Sequence, residues 1–499
     1  MIYELHVGSF TPEGTFEAII PRLSALRSLG ITAIELMPLG QFPGRHGWGY
    51  DGTYWFATQQ SYGGPDGLQR LVEACHAQGL AVILDVIYNH LGPEGNYLHD
   101  FGPYFTDKHV TPWGAAINYD DTGCEGARSL VLDNVRHWIR NFHIDGLRLD
   151  AIHAICDDSH PHILAEIKRV AMEEQVRLGR EVHVIAESNL NDVRLLDPPE
   201  QGGYGLDAQW SDDFHHCVHT LLTGENAGYY ADFTDPQPQL VKALNSFFVY
   251  DGIHSQFRGA PCGRPIGDHG GQRFVVSIQT HDQVGNRARG ERLSALVSPA
   301  QQRMAACLLL LAPNVPMLFM GEEYGELSPF PFFCDFGDPV LQEAVRKGRR
   351  EEFADFAWSD EVPDPLAETT YQSAQLAWDW PEGTLHAGLR RLYGDLLQLR
   401  RTQPALGDFR HRAARLMTSD DGHALLELTR GESKNGLLCI FNLGDQAAKF
   451  PAVPDNLTLL FRSEFAPYRC EPPELDDLNR QRLRPFECLI FGASTPSNK

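Results

Sequence analysis

The sequence predicts an α/β protein, a (β/α)₈ barrel followed by a C-terminal antiparallel β-sandwich domain. Three observations predict it. Apolar runs of strand length alternate with amphipathic helical stretches over residues 1–406. Four segments at the ends of such runs carry polar, reactive side chains: Asp85–His90 (DVIYNH), Gly146–His153 (GLRLDAIH), Val184–Glu187 (VIAE) and Gln279–Asn286 (QTHDQVGN). A parallel barrel displays its working residues at the C-terminal ends of its strands, which is the pattern these segments make. From about Gly407 to residue 494 the rhythm changes to short strands only.

Each element has its own signal. The apolar run Ile2–Val7 opens the first strand, Phe16–Leu29 has helical spacing at Ile19, Ile20, Leu23, Leu26 and Leu29, and Ile31–Leu39 is the second strand. Leu68–Gln78, Ala127–Phe142 and Ile163–Leu178 read as helices, each leading into a strand at Ala81–Tyr88, Ile144–Asp150 and His183–Ala186. A sixth strand falls near Leu206–Trp210, and Phe274–Gln279 and Val315–Met320 flank the helix Gln302–Leu311. Two excursions, Leu91–Thr122 and Ser328–Thr384, come after the third and eighth strands, and loops of that length are usually functional. Leu385–Leu406 reads as a closing helix. Strands are then expected at Ala414–Met417, Ala424–Thr429, Gly436–Phe441, Leu457–Phe461 and Glu487–Phe491, with a frayed tail at Ala493–Lys499.

Composition narrows the class. At 499 residues there is room for a large barrel and an appended domain. The net charge of -24 argues against nucleic acid and anionic membranes, both of which select basic surfaces. The opening MIYELHVGSF shows no basic region followed by an apolar one, so no secretory signal is expected, and no apolar run is long enough to span a bilayer. Ten cysteines are scattered singly without a CxxC pair, which favours a reducing cytoplasm over a zinc or redox motif.

Three carboxylates at three strand ends, Asp150, Glu187 and Asp282, suit glycoside hydrolysis, which needs a pair of carboxyl groups flanking one acetal. Asp150 lies two residues after Arg148, whose guanidinium would keep it ionised as a nucleophile. Glu187 ends an apolar strand, where desolvation and a second carboxylate would hold its proton for use as a general acid. Separations of roughly 5–5.5 Å favour retention and roughly 6.5–9.5 Å inversion. Asp282 suits hydrogen bonding to vicinal hydroxyls; taken singly, each acid could equally be an ion-pair partner or a cap. His90 and His281 lie beside strand ends and suit hydroxyl binding, and Trp48 and Tyr50 offer aromatic faces to a sugar ring. Asp212, Asp213, Phe214, His215 and His216 come just after Trp210; their adjacent spacing suits a hydrogen-bonding wall better than a metal site, so no metal and no cofactor is expected.

At these residues the chain resembles the α-amylase family, glycoside hydrolase family thirteen, over nearly its whole length, Tyr3 to about Phe491. The family's four signature regions are present as DVIYNH, GLRLDAIH, IAES and THDQ. The resemblance implies Asp150 as nucleophile, Glu187 as acid/base and Asp282 as transition-state stabiliser, with His90, Arg148, His281 and Tyr50 around the same sugar. YELHVGSFTPEGTF, ELMPLGQFPGRHGWGYDG, AQWSDDFHH and TGENAGYYADF are similar to members that release trehalose from maltooligosyltrehalose with anomeric retention. That similarity implies a substrate site lined by Arg148–His153, Asp212–His216 and His281–Asn286, including His153, Gln283 and Asn286. A glucan branching enzyme, a transglycosidase sharing the three carboxylates, is the alternative, as is another α-glucan hydrolase of the family. A non-catalytic glycan-binding relative should lack a carboxylate, and none is missing. Relatives place a β-sandwich of roughly a hundred residues ahead of the barrel; this chain opens on the first barrel strand, so that module is expected to be absent. Thr280 stands where relatives often carry Asn, which predicts one weakened polar contact near Asp282.

Overall fold

In the computed structural model, the described residues are 1–352, 362–432, 435–449, 452–471 and 482–493. Eight parallel strands close a barrel: β1 (Ile2–Leu5), β2 (Ala33–Leu36), β3 (Ala81–Val86), β4 (Gly146–Leu149), β5 (His183–Ala186), β6 (Ala208–Trp210), β7 (Phe274–Val276) and β8 (Val315–Phe319). Each strand lies beside its neighbours in sequence, with β8 returning to β1. All eight fall within the runs expected from the sequence; β5 matches its run residue for residue, and the other seven are shorter by one to five residues.

The register brings charged residues side by side. Glu4 of β1 pairs with Glu35 of β2, Asp85 of β3 pairs with Arg148 of β4, and Arg148 pairs with Ile185 of β5. Four charged residues on four consecutive strands are each almost wholly buried, in a fold whose interior is usually filled by Val, Ile and Leu.

The helices differ from expectation at prolines. The stretch Phe16–Leu29 is not one helix: Phe16–Ile19 and Leu23–Leu29 are joined by a 3₁₀ turn, Ile20–Arg22, that carries Pro21. Pro has no N–H to continue the ladder, and its ring crowds the preceding turn. Leu385–Leu406 likewise divides into Leu385–Thr402 and Pro404–Gly407. Ile163–Leu178 keeps its expected limits, set by His162 accepting from the Leu164 N–H and by Gly179 at φ 63°. Ser298 and Gln301 form a reciprocal capping box that starts the helix Pro299–Leu311 three residues early.

The chain packs as two compact units. The first is Met1–Trp210, Thr280–Glu291 and Ser328–Leu376; the second is Ser211–Gln279, Arg292–Leu327 and Ala377–Lys499. Within the first, the excursion Leu91–Thr122 carries an antiparallel pair, Phe105–Thr111 with Gly114–Ile117. The excursion after β8 carries the helices Pro339–Glu352 and Glu368–Ser373, and its residues 353–361 lie outside the described residues.

In the second unit the late strands form a five-stranded antiparallel sheet: β9 (Arg412–Thr418), β10 (Ala424–Arg430), β11 (Leu437–Asn442), β12 (Leu457–Arg462) and β13 (Cys488–Ala493), in the order β9-β10-β11-β13-β12. A two-stranded sheet, Ala448–Lys449 with Arg482–Leu483, packs Ala448 and Leu483 against Leu425, Ile440, Leu489 and Phe491 of the large sheet. Residues 494–499 of the expected frayed tail lie outside the described residues. The same unit contains helices Asp212–Thr223 and Pro236–Ser246. All ten cysteines are free thiols. Among the described residues no helix is long and apolar enough to cross a membrane.

Candidate active site

Asp150 comes directly after β4, its backbone N–H still donating to the Val86 carbonyl at 3.0 Å, so its carboxylate leaves from the end of a fixed strand. It is 8% exposed. Arg148 Nη1 donates to Asp150 Oδ1 at 2.6 Å, and Asn89 Nδ2 donates to both Oδ2 and the backbone carbonyl of Asp150 at 2.8 Å. Charge-assisted bonds of this kind fix the orientation of a carboxylate.

Arg148 is completely buried and serves three acids. Nη1 also reaches both oxygens of Asp85, at 2.9 and 2.8 Å, and Nη2 lies 3.7 Å from Glu187 Oε2. The guanidinium sits 4.4 Å from the ring centroid of Trp210, a cation–π contact on its face. Glu187, after β5, is held from a second side: the Ala151 N–H donates to its Oε2 at 2.7 Å. That N–H is aimed by an unusual backbone, since Ala151 adopts φ 39°, ψ 52°, a left-handed conformation that a residue with a Cβ rarely takes. Asp150 and Glu187 thus come from adjacent strands onto one guanidinium.

The third carboxylate sits differently. Asp282 is in the first turn of the short helix His281–Gly285, and its side chain is 42% exposed. Thr280 is the cap of this helix: its Oγ1 accepts the Gln283 N–H at 3.2 Å. An Asn would fill the same capping role.

His281 links this loop to the barrel. Its Nδ1 is 2.5 Å from Glu4 Oε1, its backbone N–H donates to Glu4 Oε2 at 3.0 Å, its Nε2 is 2.7 Å from the Tyr50 hydroxyl, and Asp282 Oδ2 lies 3.5 Å from Nε2. Burial opposes a charge on this ring, but the Asp282 and Glu4 carboxylates outweigh it and raise His281 to about 9. Both ring nitrogens are then donors. The chain of bonds acquires one direction: His281 donates to Tyr50, whose hydroxyl donates to Asp85 Oδ2 at 2.5 Å. The Tyr50 ring also stacks on His281, with centroids 5.2 Å apart.

His90 is governed by the opposite balance. Burial lowers it below its ordinary value, against the pull of Asp150. Its Nδ1 bonds Asn89 Oδ1, its Nε2 is 3.1 Å from the Tyr50 carbonyl, and its ring stacks on Trp113 at 4.6 Å. Trp113, half exposed on the first excursion, extends an aromatic surface from His90. Trp48 stacks on Phe330 and meets His281 edge-on.

His153 is exposed on the 3₁₀ turn Ile152–Ala154, and Gln283 and Asn286 are partly exposed beside Asp282. Asp212–His216 open a helix of the second unit. Asp213 Oδ2 accepts the backbone N–H groups of Val249 and Tyr250, and His215 bonds the Ile278 carbonyl and the Tyr230 hydroxyl. His216 is buried among Tyr229, Tyr230 and Phe233, and burial lowers it to about 3; Phe214 is buried and Asp212 partly exposed.

Glu4, Asp85 and Asn89 support the site without having been candidates from the sequence. Asp85 and Asn89 were inside DVIYNH, and Glu4 was an acid interrupting the apolar run Ile2–Val7, a signal in itself. Among the described residues one group has metal-ligand spacing, His109, Asp120 and Asp158. Lys108 Nζ already sits there, 2.8 Å from Asp120 Oδ2 and 3.4 Å from Asp158 Oδ2, and supplies the positive charge.

A family model described as Alpha amylase, catalytic domain, matches residues 6–110. The chain is 50% identical over 401 residues to the malto-oligosyltrehalose trehalohydrolase of Saccharolobus solfataricus, covering 80% of this chain and 68% of that one. It is 41% identical over 502 residues to the malto-oligosyltrehalose trehalohydrolase of Mycobacterium tuberculosis, covering 100% of this chain and 83% of the relative. Among solved structures, a putative alpha amylase from Salmonella typhimurium superposes with a TM-score of 0.86 at 37% identity, covering 99% of this chain and 81% of that one. With its barrel, its rim of carboxylates and these likenesses together, the chain belongs to the malto-oligosyltrehalose trehalohydrolase family of α-amylase-type glycoside hydrolases.

Proposed function

We propose that the chain hydrolyses the α-1,4-glucosidic bond next to the terminal trehalose unit of a maltooligosyltrehalose and releases trehalose, with retention at the anomeric carbon. The observation that carries the chemistry is the meeting of Asp150 and Glu187 on the buried Arg148 guanidinium. Glu187 protonates the leaving oxygen and Asp150 attacks the anomeric carbon, forming a glycosyl–enzyme bond. Water, deprotonated by Glu187, then breaks that bond and returns Asp150 as a carboxylate. Arg148 and Asn89 hold the carboxylate of the nucleophile in one orientation, so little reorganisation is needed during attack.

Asp282, with more than a third of its side chain exposed, is assigned to a pair of vicinal sugar hydroxyls, joined by the imidazolium of His281. Tyr50 and His90 complete the wall around that sugar, and His153, Gln283 and Asn286 are assigned to outer contacts with the glucan. Ten free thiols support a reducing compartment, and we place the reaction in the cytoplasm, as a step of trehalose biosynthesis. Incubation with maltotriosyltrehalose and, separately, with maltopentaose tests the reading. Rapid trehalose release from the first and slow cleavage of the second is the expected result. Equal cleavage of both, or new α-1,6 branches, would overturn it.

A further inference from the structure

We propose that Glu4 is a positioning residue of this site: from the first barrel strand it holds both the ring and the main chain of His281 and so anchors the loop that carries Asp282. The inference deepens the function proposed above and rests on it. Glu4 is 1% exposed and comes from β1, 277 residues away from His281 in the chain. One of its oxygens takes the His281 ring and the other takes the His281 backbone N–H. A carboxylate gripping both the side chain and the main chain of one residue fixes the ring, its tautomeric state and the start of the helix together. A ring that donates from Nδ1 to an acid is obliged to present Nε2 as a donor when charged, and Nε2 points to the Tyr50 hydroxyl and toward Asp282.

The other charged and titratable neighbours divide into those that favour this charge and those that oppose it. Asp282, on the same helix, also favours the imidazolium. Arg148 of β4 opposes it, and Tyr50 accepts from it. Asp85 of β3 lies one bond further along, through Tyr50. His6, just after β1, is buried; desolvation lowers it to about 4, so it adds no competing positive charge at neutral pH. Glu35 of β2 pairs in register with Glu4; burial raises it well above the ordinary carboxylate range and neither of its oxygens has a hydrogen-bond partner, so it does not take the place of Glu4 on His281. Glu4 and Asp282 are therefore the acids that hold the charge, and Glu4 is the one sealed from solvent.

The test uses the full-length protein and Glu4→Gln. Gln is close to Glu in shape but lacks the charge, so His281 loses its proton at lower pH. With maltotriosyltrehalose, kcat/KM of the wild type should fall on the alkaline side near pH 9, where His281 titrates. In the variant that limb should move down by about one unit or more, with turnover lower by roughly a hundredfold because the loop is less well fixed. Glu4→Asp should restore the alkaline limb in part. A merely structural role would lower activity or stability without moving the limb. An unmoved limb in folded Glu4→Gln would overturn the proposal. If that variant does not fold, ¹⁵N titration of the wild-type His281 imidazole, identified by its loss in His281→Gln, decides instead. Titration below neutrality overturns the proposal, and titration well above it supports the proposal. The imidazole titration needs no substrate, so it stands even if the chain releases no trehalose.

Discussion

The Asp150 corner and the Asp282 corner hold their carboxylates in opposite ways. Asp150 is 8% exposed and clamped from two sides by Arg148 and Asn89 before any ligand arrives. Asp282 keeps 42% of its side chain exposed, and its charged neighbour is the adjacent His281 at 3.5 Å. The difference suggests a division of labour. In the proposed mechanism the group that attacks along one line is fixed in advance, whereas the group that grips hydroxyls is left open for the ligand to complete.

The largest test of that contrast is Asp150→Asn. It should lower kcat on the order of ten-thousandfold or more, while ligand binding measured by calorimetry persists. A loss within tenfold would remove Asp150 from the role of nucleophile. Next, Arg148→Met should cost about 3–5 kcal/mol in urea unfolding, because buried acids on both sides lose their counter-ion. An unchanged midpoint would mean that those acids are neutral without it. Asp282→Asn should be milder, roughly a hundredfold in kcat/KM with little change in melting temperature, since the side chain is half in solvent. If Asp282→Asn destabilises the protein as much as Arg148→Met does, the contrast between the two corners is wrong.

The pH dependence sharpens it further. His281 is raised from its ordinary 6.5 to about 9. Its stabilising contribution is complete below about 6.5 and is lost as pH rises through about 9. Wild-type unfolding free energy should fall across that window more steeply than in His281→Gln, and equal slopes would refute the charged imidazole. The smallest effect is expected at Thr280. Thr280→Ala should cost about 1 kcal/mol as a lost cap, and Thr280→Asn close to nothing; equal losses would show that Thr280 is more than a cap.

What could be read from the sequence came from chemistry that is local in the chain. Apolar runs alternating with helical stretches made β1 to β8 legible, and the four runs that end in polar side chains made Asp150, Glu187 and Asp282 legible as candidates. The break at Pro21 was written in the sequence too, but well-spaced leucines and isoleucines on both sides masked it. Helix Asp212–Thr223 was harder. Nine of its twelve residues are buried, so it shows little of the alternating exposure that marks a surface helix. The Glu4–His281 pair was not legible at all. It joins positions 277 residues apart, and spacing carries no information about a contact that only barrel closure creates.

Glu4, Glu35, Asp85 and Arg148 give this barrel a charged lining where most barrels are filled with hydrocarbon. Selection for heat tolerance would therefore find few useful changes on β1 to β4, because swapping those residues for aliphatic ones would relax the interior and disarm the rim together. Improvement would have to be recruited elsewhere, from helix caps and from the hydrocarbon layer of the C-terminal sheet, leaving the first half of the barrel as its most conservative part.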